Sequence, residues 1–462
     1  MSSHSSDFIG TAPIPKLLMR FALPAMASSF VNCLYNIVDR LYIGRGAGPD
    51  AMAGLSLTFP YMIILASFGM MIGQGSGALI SLLLGEKKPE EANKVLGQAM
   101  AMFLLFIFTI QALGLIFLDQ TLHLFGGTEA AIPYARDYLI IILWGNIFQH
   151  ISFGMSNIVR SEGSAMTAMG VVILGAALNI ILDPIFIFVF HMGIRGAAWA
   201  TVISMAISSA WVMAHFLRGS VLTLRLKHIR IYPKLFTRVL AIGLAPCLMQ
   251  ILHCLIVIIY NHSFIAYASS DAEATLAIAA FGIVNSVLMM ALMPSFGINM
   301  GMQPIVGYNT GAKLYPRVIH TMKLAVSLAT VICLVLALIC IAFSKQIAFV
   351  FTPDKPLIDA TVYSLRAVSC GLPFIGVGIL TGTYYLSIGR SSISIVLSML
   401  RQGIVLIPVL LIMPRFFGLN GIWWAGPVAD TFSAILCFAM LIHEFARLRK
   451  LIAAENAQKV EA

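Results

Sequence analysis

Charge is scarce in this chain. Only 10% of its 462 residues are Asp, Glu, Lys or Arg, against 60% hydrophobic, and mean hydropathy is +0.93. A soluble domain carries roughly 25% charged residues, so this chain has too little polar surface to fold in water and reads as an integral membrane protein. Cysteine is also sparse: each of the seven lies in an apolar run and none forms CxxC, which argues against a disulfide framework or a zinc site. Walker A, HExxH and Asp-rich metal motifs are missing, as are Ser-His and paired-Asp protease constellations, so neither an ATP-driven pump nor a membrane enzyme is expected. The N-terminus shows no short apolar core followed by a cleavage site, and its first apolar run is long enough to be retained as a span.

Long apolar runs fill the chain. Periodicity and polar breaks place spans near 15–43, 52–84, 95–118, 134–158, 167–190, 195–217, 235–261, 273–302, 318–344, 360–388, 391–414 and 420–446. The expected fold is all-α, with about twelve transmembrane helices. Prolines 24, 184, 246, 373 and 408 fall inside spans, and each removes a backbone hydrogen bond and permits a bend. The net charge of +10 comes from basic residues in short loops, which points to membrane topology and away from nucleic acid. The most basic stretch, 218–238, carries Arg218, Arg225, Lys227, Arg230, Lys234 and Arg238 between the sixth and seventh spans. It reads as a cytoplasmic linker able to contact anionic lipid, and the positive-inside rule puts both termini in the cytoplasm of a cell-membrane protein.

That linker divides two similar halves. Leu23-Pro24 answers Ala245-Pro246, GMMIGQGSGALISLLLGEKK (69–88) answers GINMGMQPIVGYNTGAKL (297–314), and GIRGAAWA (193–200) answers GLNGIWWA (418–425). Each half holds six spans, an even number, so both halves have the same orientation and pseudo-two-fold symmetry about the membrane normal. The organisation expected is an N-terminal six-helix lobe (1–217), a basic cytoplasmic linker (218–234), a C-terminal six-helix lobe (235–450) and a cytoplasmic tail (451–462). A parallel six-plus-six repeat points to transport through a cleft that opens to alternate sides.

Several stretches together resemble the multidrug and toxin extrusion (MATE) family. They are ALPAMASSFVNCLYNIVDRLYIG (22–44), GQGSGALISLLLGEKKPEEA (73–92), NIVRSEGSA (157–165), ALNIILDPIFIF (177–188) and QPIVGYNTGAK (303–313), in family order over almost the whole chain. The resemblance implies two six-helix lobes and export of bulky, often cationic drugs or toxins, driven by inward Na+ or H+.

Few carboxylates lie inside spans, and Asp39 and Asp183 stand out. An acid at the bilayer centre costs about 2.5 kcal/mol or more on insertion scales, so each needs a proton, a cation or a partner. Asp39 has a structural reading, pairing with Arg40 near the outer surface. Asp183 has one too, capping backbone at the bend before Pro184. The functional reading joins the two. Asn179 and Asp183 are four apart and share one face of the fifth span, while Asp39 and Thr201 supply further oxygens, the ligand type hard cations prefer. The resemblance likewise assigns Asp39, Asn179, Asp183 and Thr201 to cation binding. A proton would serve as well as Na+, since either neutralises the pair, and no other cofactor is expected. Tyr35, Asn36 and Asn157 are possible neighbours, with ordinary interhelical hydrogen bonding the alternative for each.

The second half departs from one branch of the family. Its seventh span, LAPCLMQILHCLIVIIYNH (244–262), has no carboxylate, the tenth has none after its opening turn, and the eleventh has no counterpart of Asp183. Arg401 and Asp430 remain, readable as a buried pair or, for Asp430, as a group facing cargo. His253 and Gln250 read as polar packing groups. Met289, Met290 and Met293 are candidate cleft residues, because Met is flexible and polarizable enough for broad specificity. A single chain already holds both lobes, so a functional monomer is expected. The rival function is a lipid-linked saccharide flippase of related architecture, which would want a basic cleft for pyrophosphate, whereas intramembrane basic residues are few here.

Overall fold

The computed structural model describes residues 7–124, 130–218 and 220–461. The extreme ends of the expected first lobe and tail, five residues at 125–129 and Gly219 of the linker therefore lie outside the described residues. Every regular element among the described residues is helical. Hydrocarbon offers no hydrogen bonds to an open strand, so an apolar chain crossing it must satisfy its backbone within each segment, and helices do so.

A short helix α1 (Asp7–Thr11) precedes α2 (Ile14–Gly46), α3 (Gly48–Gly85), α4 (Pro89–Ile116), α5 (Leu118–Leu124), α6 (Ile132–Ser161), α7 (Ala165–Pro184) and α8 (Gly193–Leu217). The second half holds α9 (Pro233–Tyr267), α10 (Asp271–Gly311), α11 (Tyr315–Ala342), α12 (Ser344–Phe351), α13 (Lys355–Ser369), α14 (Leu372–Ser387), α15 (Ser391–Met399) and α16 (Ile407–Glu461). Ten continuous helical stretches are long and apolar enough to cross a membrane, and α13 with α14, bent by 48°, makes an eleventh span. The stretch from Ser391 to Gln458 is broken at Gly418, whose backbone is non-helical (φ 55°, ψ −141°). Counted on either side of that break, the spans match the twelve expected from the sequence.

The prolines act where local backbone changes. Asp183-Pro184 leads straight into a π-helical turn, Ile185–Val189, and a second π turn, Leu400–Leu406, ends just before Pro408. Pro373 opens α14 after the 48° bend, whereas Pro24 and Pro246 lie inside continuous helices.

The chain falls into two compact units, each discontinuous in sequence: Met1–Ala12, Leu23–Cys247 and Gly307–Ala312 form one, and Pro13–Ala22, Leu248–Val306 and Lys313–Ala462 the other. The glycine-rich motifs explain this. In the first unit α3 crosses the opening of α9 so closely that a Cβ on Gly75 would stand 2.4 Å from the Val239 carbonyl oxygen, and one on Gly243 would stand 1.9 Å from that of Met71. In the second unit α10 crosses the opening of α2, where a Cβ on Gly301 would stand 2.7 Å from the Ala22 nitrogen. Each half's second span thus packs on the first turns of the other half's opening span, and glycine permits the backbone approach.

The basic linker is docked rather than free. Leu222 is fully buried, the Thr223 N–H donates to Asn93 Oδ1 (2.9 Å) and the Tyr232 N–H donates to Gln98 Oε1 (3.0 Å). Burial and then Lys227 push the His228 imidazole below its usual value, with Arg225 and Lys94 adding to the effect and Glu90 opposing it.

Candidate ion-binding site

Four helices of the first unit bring polar groups to one buried centre. On α2, Tyr35 and Asp39 are four apart and share a face; on α7, Asn179 and Asp183 do the same. Thr201 comes from α8. Asp39 is 7% exposed, Thr201 6%, Asn179 2% and Asp183 0%. With the Asn179 amide turned so that its nitrogen faces Asp183, it donates to Asp183 Oδ2 at 2.8 Å and its oxygen accepts from the Thr201 N–H (3.3 Å) and Oγ1 (3.1 Å). The Asp39 and Asp183 carboxyls face one another closely enough to interact electrostatically. The Oδ1 atom of each is buried with no hydrogen-bond partner.

Neither alternative reading supplies these Oδ1 atoms with a hydrogen-bond partner. The Arg40 guanidinium lies over the Phe59 ring, 5.3 Å from its centroid, and among the described residues makes no ion pair with Asp39. Asp183 accepts from a side chain of its own helix, Asn179. The fit to a cation or proton is chemical: two carboxylates, an amide and a hydroxyl offer oxygen donors, and two buried carboxyl oxygens await a partner.

Of the possible neighbours, Tyr35 joins this centre, close to both carboxyls and to Thr201. Asn36 is exposed and donates to the Asn32 carbonyl (2.7 Å) and Oδ1 (2.9 Å) of its own helix. Asn157 is engaged elsewhere on α6, donating to the Phe153 carbonyl and accepting from Arg160 Nη1 at 3.0 Å. Tyr138 of α6, buried to 4% exposure, is a member the sequence did not single out, since it lies close to Thr201 and to both carboxyls. No motif marks it, because only the packing of α6 against α8 turns that face inward.

The second unit buries a different centre. Arg401, inside the π turn, donates from Nε to Oδ1 of Asp430, which is 4% exposed. Tyr260 lies near both charges and belongs to an aromatic cluster, stacked on Phe281 at 4.7 Å, with Phe264 and Trp423 alongside. A Cβ on Gly371 would stand 2.7 Å from Asp430 Oδ2, so that glycine leaves room for the carboxyl. Met289 and Met290 are exposed and Met293 is half-buried.

Each unit also has a buried glutamate near a span end, Glu162 just after the fourth span and Glu444 late in the twelfth, and sequence reading passed over both. Glu162, wholly buried, pairs with His215 Nε2 (2.5 Å) and accepts from Ser220 Oγ (2.8 Å) and the Leu222 N–H (3.2 Å). Glu444, 2% exposed, accepts from Tyr384 Oη (3.2 Å), Arg390 Nη1 (3.3 Å) and Arg447 Nη1 (2.7 Å).

Twelve spans in two repeated halves, with buried acids inside them, mark a polytopic transporter, not an enzyme. The MatE family model matches residues 24–185 and again 247–412, once per half, and the chain belongs to that family. It is 27% identical over 462 residues to the multidrug export protein MepA of Staphylococcus haemolyticus, covering 100% of both chains, and 26% identical over 445 residues to MepA of Staphylococcus aureus (strain MRSA252), covering 96% of each. Among solved structures it shares the fold of an outward-facing multidrug resistance MATE family transporter of the MOP superfamily, with TM-score 0.90, 23% identity and coverage of 97% of this chain and 100% of that one. A MOP superfamily transporter from Pyrococcus furiosus, described as having a binding pocket of reversed polarity, matches equally well, with TM-score 0.90, 24% identity and coverage of 97% and 99%.

Proposed function

We propose that this protein is a secondary active antiporter that exports bulky, often cationic drugs or toxic metabolites in exchange for inward Na+ or H+. The observation that carries the reading is the Asp39–Asp183 pair: two buried carboxyls face one another at membrane depth, each with an unpartnered oxygen. Two anions in contact in a low-dielectric interior repel strongly, so the pair requires a proton or a metal cation between them. Asn179, Thr201, Tyr35 and Tyr138 orient it. Ion binding neutralises the pair and changes which packing of α2 and α7 is favoured. A cationic cargo competes for the same negative charge, which gives exchange without contact between cargo and ion. The π turn after Asp183 supports such a rearrangement, since π turns interrupt the regular ladder.

The lobes work by alternating access in a single chain, without a cofactor beyond the ion, in the cell membrane and with both termini cytoplasmic, as the basic loops favour. Met289, Met290 and Met293 are proposed to line the cargo path. The MepA relatives support multidrug export as the cargo class, and nothing favours the flippase alternative.

The test is efflux of a fluorescent organic cation from proteoliposomes under a Na+ gradient or a proton gradient, imposed separately, with Asp39→Asn and Asp183→Asn alongside. Transport under one gradient, lost in both variants, is the expected result. Transport that persists in both variants would remove the pair from coupling, and folded protein that moves no cation under either gradient would overturn the exporter reading.

A further inference from the structure

Asp430 has no assigned role, and its surroundings parallel those of Asp183. Both halves place an acid and a second polar group on their fifth and sixth spans, beside a π turn in the fifth. In the repeat, LDP (182–184) aligns with LIP (406–408), an offset of 224, so Arg401 answers Ala177. GIRGAAWA (193–200) aligns with GLNGIWWA (418–425), an offset of 225, so Asp430 answers Met205. Relative to Asp183 and Thr201, the second centre is therefore displaced by six residues on the fifth span and four on the sixth. The fifth and sixth spans run in opposite directions, so both displacements point the same way along the membrane normal, by about 9 Å and 6 Å at 1.5 Å per residue. The second unit thus has its polar centre between the corresponding helices, one to two turns along.

The two centres differ in what neutralises the acid. In the first, two carboxyl oxygens are buried without a partner. In the second, a guanidinium fixed to the chain occupies the position a mobile cation would take, donating directly to Asp430. Among the described residues, His253 and Tyr260 from α9 are the titratable groups seen to interact with this pair, and neither is a carboxylate. Gly371 and Gly426 keep the space around Asp430 and Tyr260 free of side chains, with a Cβ on Gly426 standing 3.5 Å from the Tyr260 hydroxyl.

We propose that Asp430 is a second cation site, held permanently filled by Arg401, so that only the N-terminal pair exchanges ions with the medium. Arg401 is then a determinant of ion stoichiometry: without it, Asp430 takes up a proton or Na+ of its own. The inference rests on the antiport reading above, but its primary readout does not require transport.

The experiment uses the full-length protein in proteoliposomes, with dicyclohexylcarbodiimide as a probe that reacts with protonated intramembrane carboxyls, and peptide mass spectrometry to locate adducts. In the wild type, Asp430 should stay unlabelled between pH 6 and 8 with or without Na+. In Arg401→Gln it should become labelled, with protection by alkaline pH or by Na+, and the ion count per cargo measured from the reversal potential should rise by one. Arg401→Lys, which keeps a tethered cation, should return Asp430 to the unlabelled state and so separates lost charge from lost fold. Labelling of wild-type Asp430 with protection by the driving ion would overturn the proposal, because the site would then be exchanging. An unlabelled Asp430 in monodisperse Arg401→Gln that retains the wild-type melting temperature would overturn it too, by showing an acid that takes no ion. Failure of the antiport reading would appear separately, as Asp39 and Asp183 that no ion protects from the reagent.

Discussion

The two halves solve the same electrostatic problem in opposite ways. In the first, Asp39 and Asp183 face each other with no basic side chain among the described residues paired to either, and neutral oxygen and amide groups lie beside them. In the second, Asp430 meets Arg401 directly, and the remaining neighbours are aromatic. An internally paired acid is a fixed part of the packing, whereas an acid without a tethered partner must draw its counter-charge from outside. One architecture, used twice, therefore yields one buried acid centre without a tethered counter-charge and one with it. The buried glutamates Glu162, after the fourth span, and Glu444, late in the twelfth, repeat the contrast on a smaller scale. Glu162 relies on an imidazole, a hydroxyl and a backbone N–H, while Glu444 has two guanidinium groups.

The sharpest way to break this comparison is to neutralise the acids one at a time. Asp183→Asn and Asp39→Asn should each lower gradient-driven efflux by about a hundredfold or more, the scale of an interaction worth roughly 3 kcal/mol, with little change in melting temperature. Initial rates and thermal unfolding on the same preparations check both parts. Asp430→Asn should behave the other way. It strands Arg401, and because that side chain is 24% exposed the loss should sit at the low end of the range for a broken buried pair, about 3 kcal/mol. The double variant Arg401→Met/Asp430→Leu should recover most of that stability, as read by thermal unfolding in detergent.

A smaller effect is expected at the linker. Glu162→Gln weakens the hold of His215, Ser220 and the Leu222 N–H on one buried group, at a cost of about 1–3 kcal/mol. Hydrogen exchange over residues 220–232 should speed up, while the region around Glu444 stays unchanged. Tyr138→Phe removes one hydroxyl from the first centre. It should raise the ion concentration for half-maximal transport by about fivefold, equivalent to about 1 kcal/mol, with the maximal rate preserved.

The smallest effect concerns pH and His228. Its folded-state value lies below the usual imidazole value, so the unfolded linker binds the proton more readily. The docking contribution is then complete above about pH 6.5 and falls as pH drops below it. Amide protection over 222–232 should decline in that window, and His228→Gln should flatten the profile.

Much of the fold was legible in the sequence because the bilayer imposes a simple rule. A run of about twenty apolar residues with no outside partner for its backbone must be a helix. Pro184 and Pro408 mark the π turns for a related reason, since each lacks the N–H that a regular ladder needs. Asp39, Asn179, Asp183 and Thr201 could be singled out because acids in apolar runs are rare and a four-residue spacing fixes a shared helix face. Asn36 and Asn157 fit the same composition but point elsewhere, Asn36 to its own helix and Asn157 to Arg160. Proximity along the sequence does not settle which face turns inward.

The sequence by itself thus determined the spans, the repeat and the presence of acids inside apolar runs, because these depend on hydropathy and local spacing alone. Only the tertiary structure decided that Tyr138 joins Thr201, that Arg401 reaches Asp430, and that each half's second span lies on the other half's opening helix. Those outcomes depend on how close two helix backbones can approach and how each is rotated about its axis, which is set by glycines and side chains far apart along the chain.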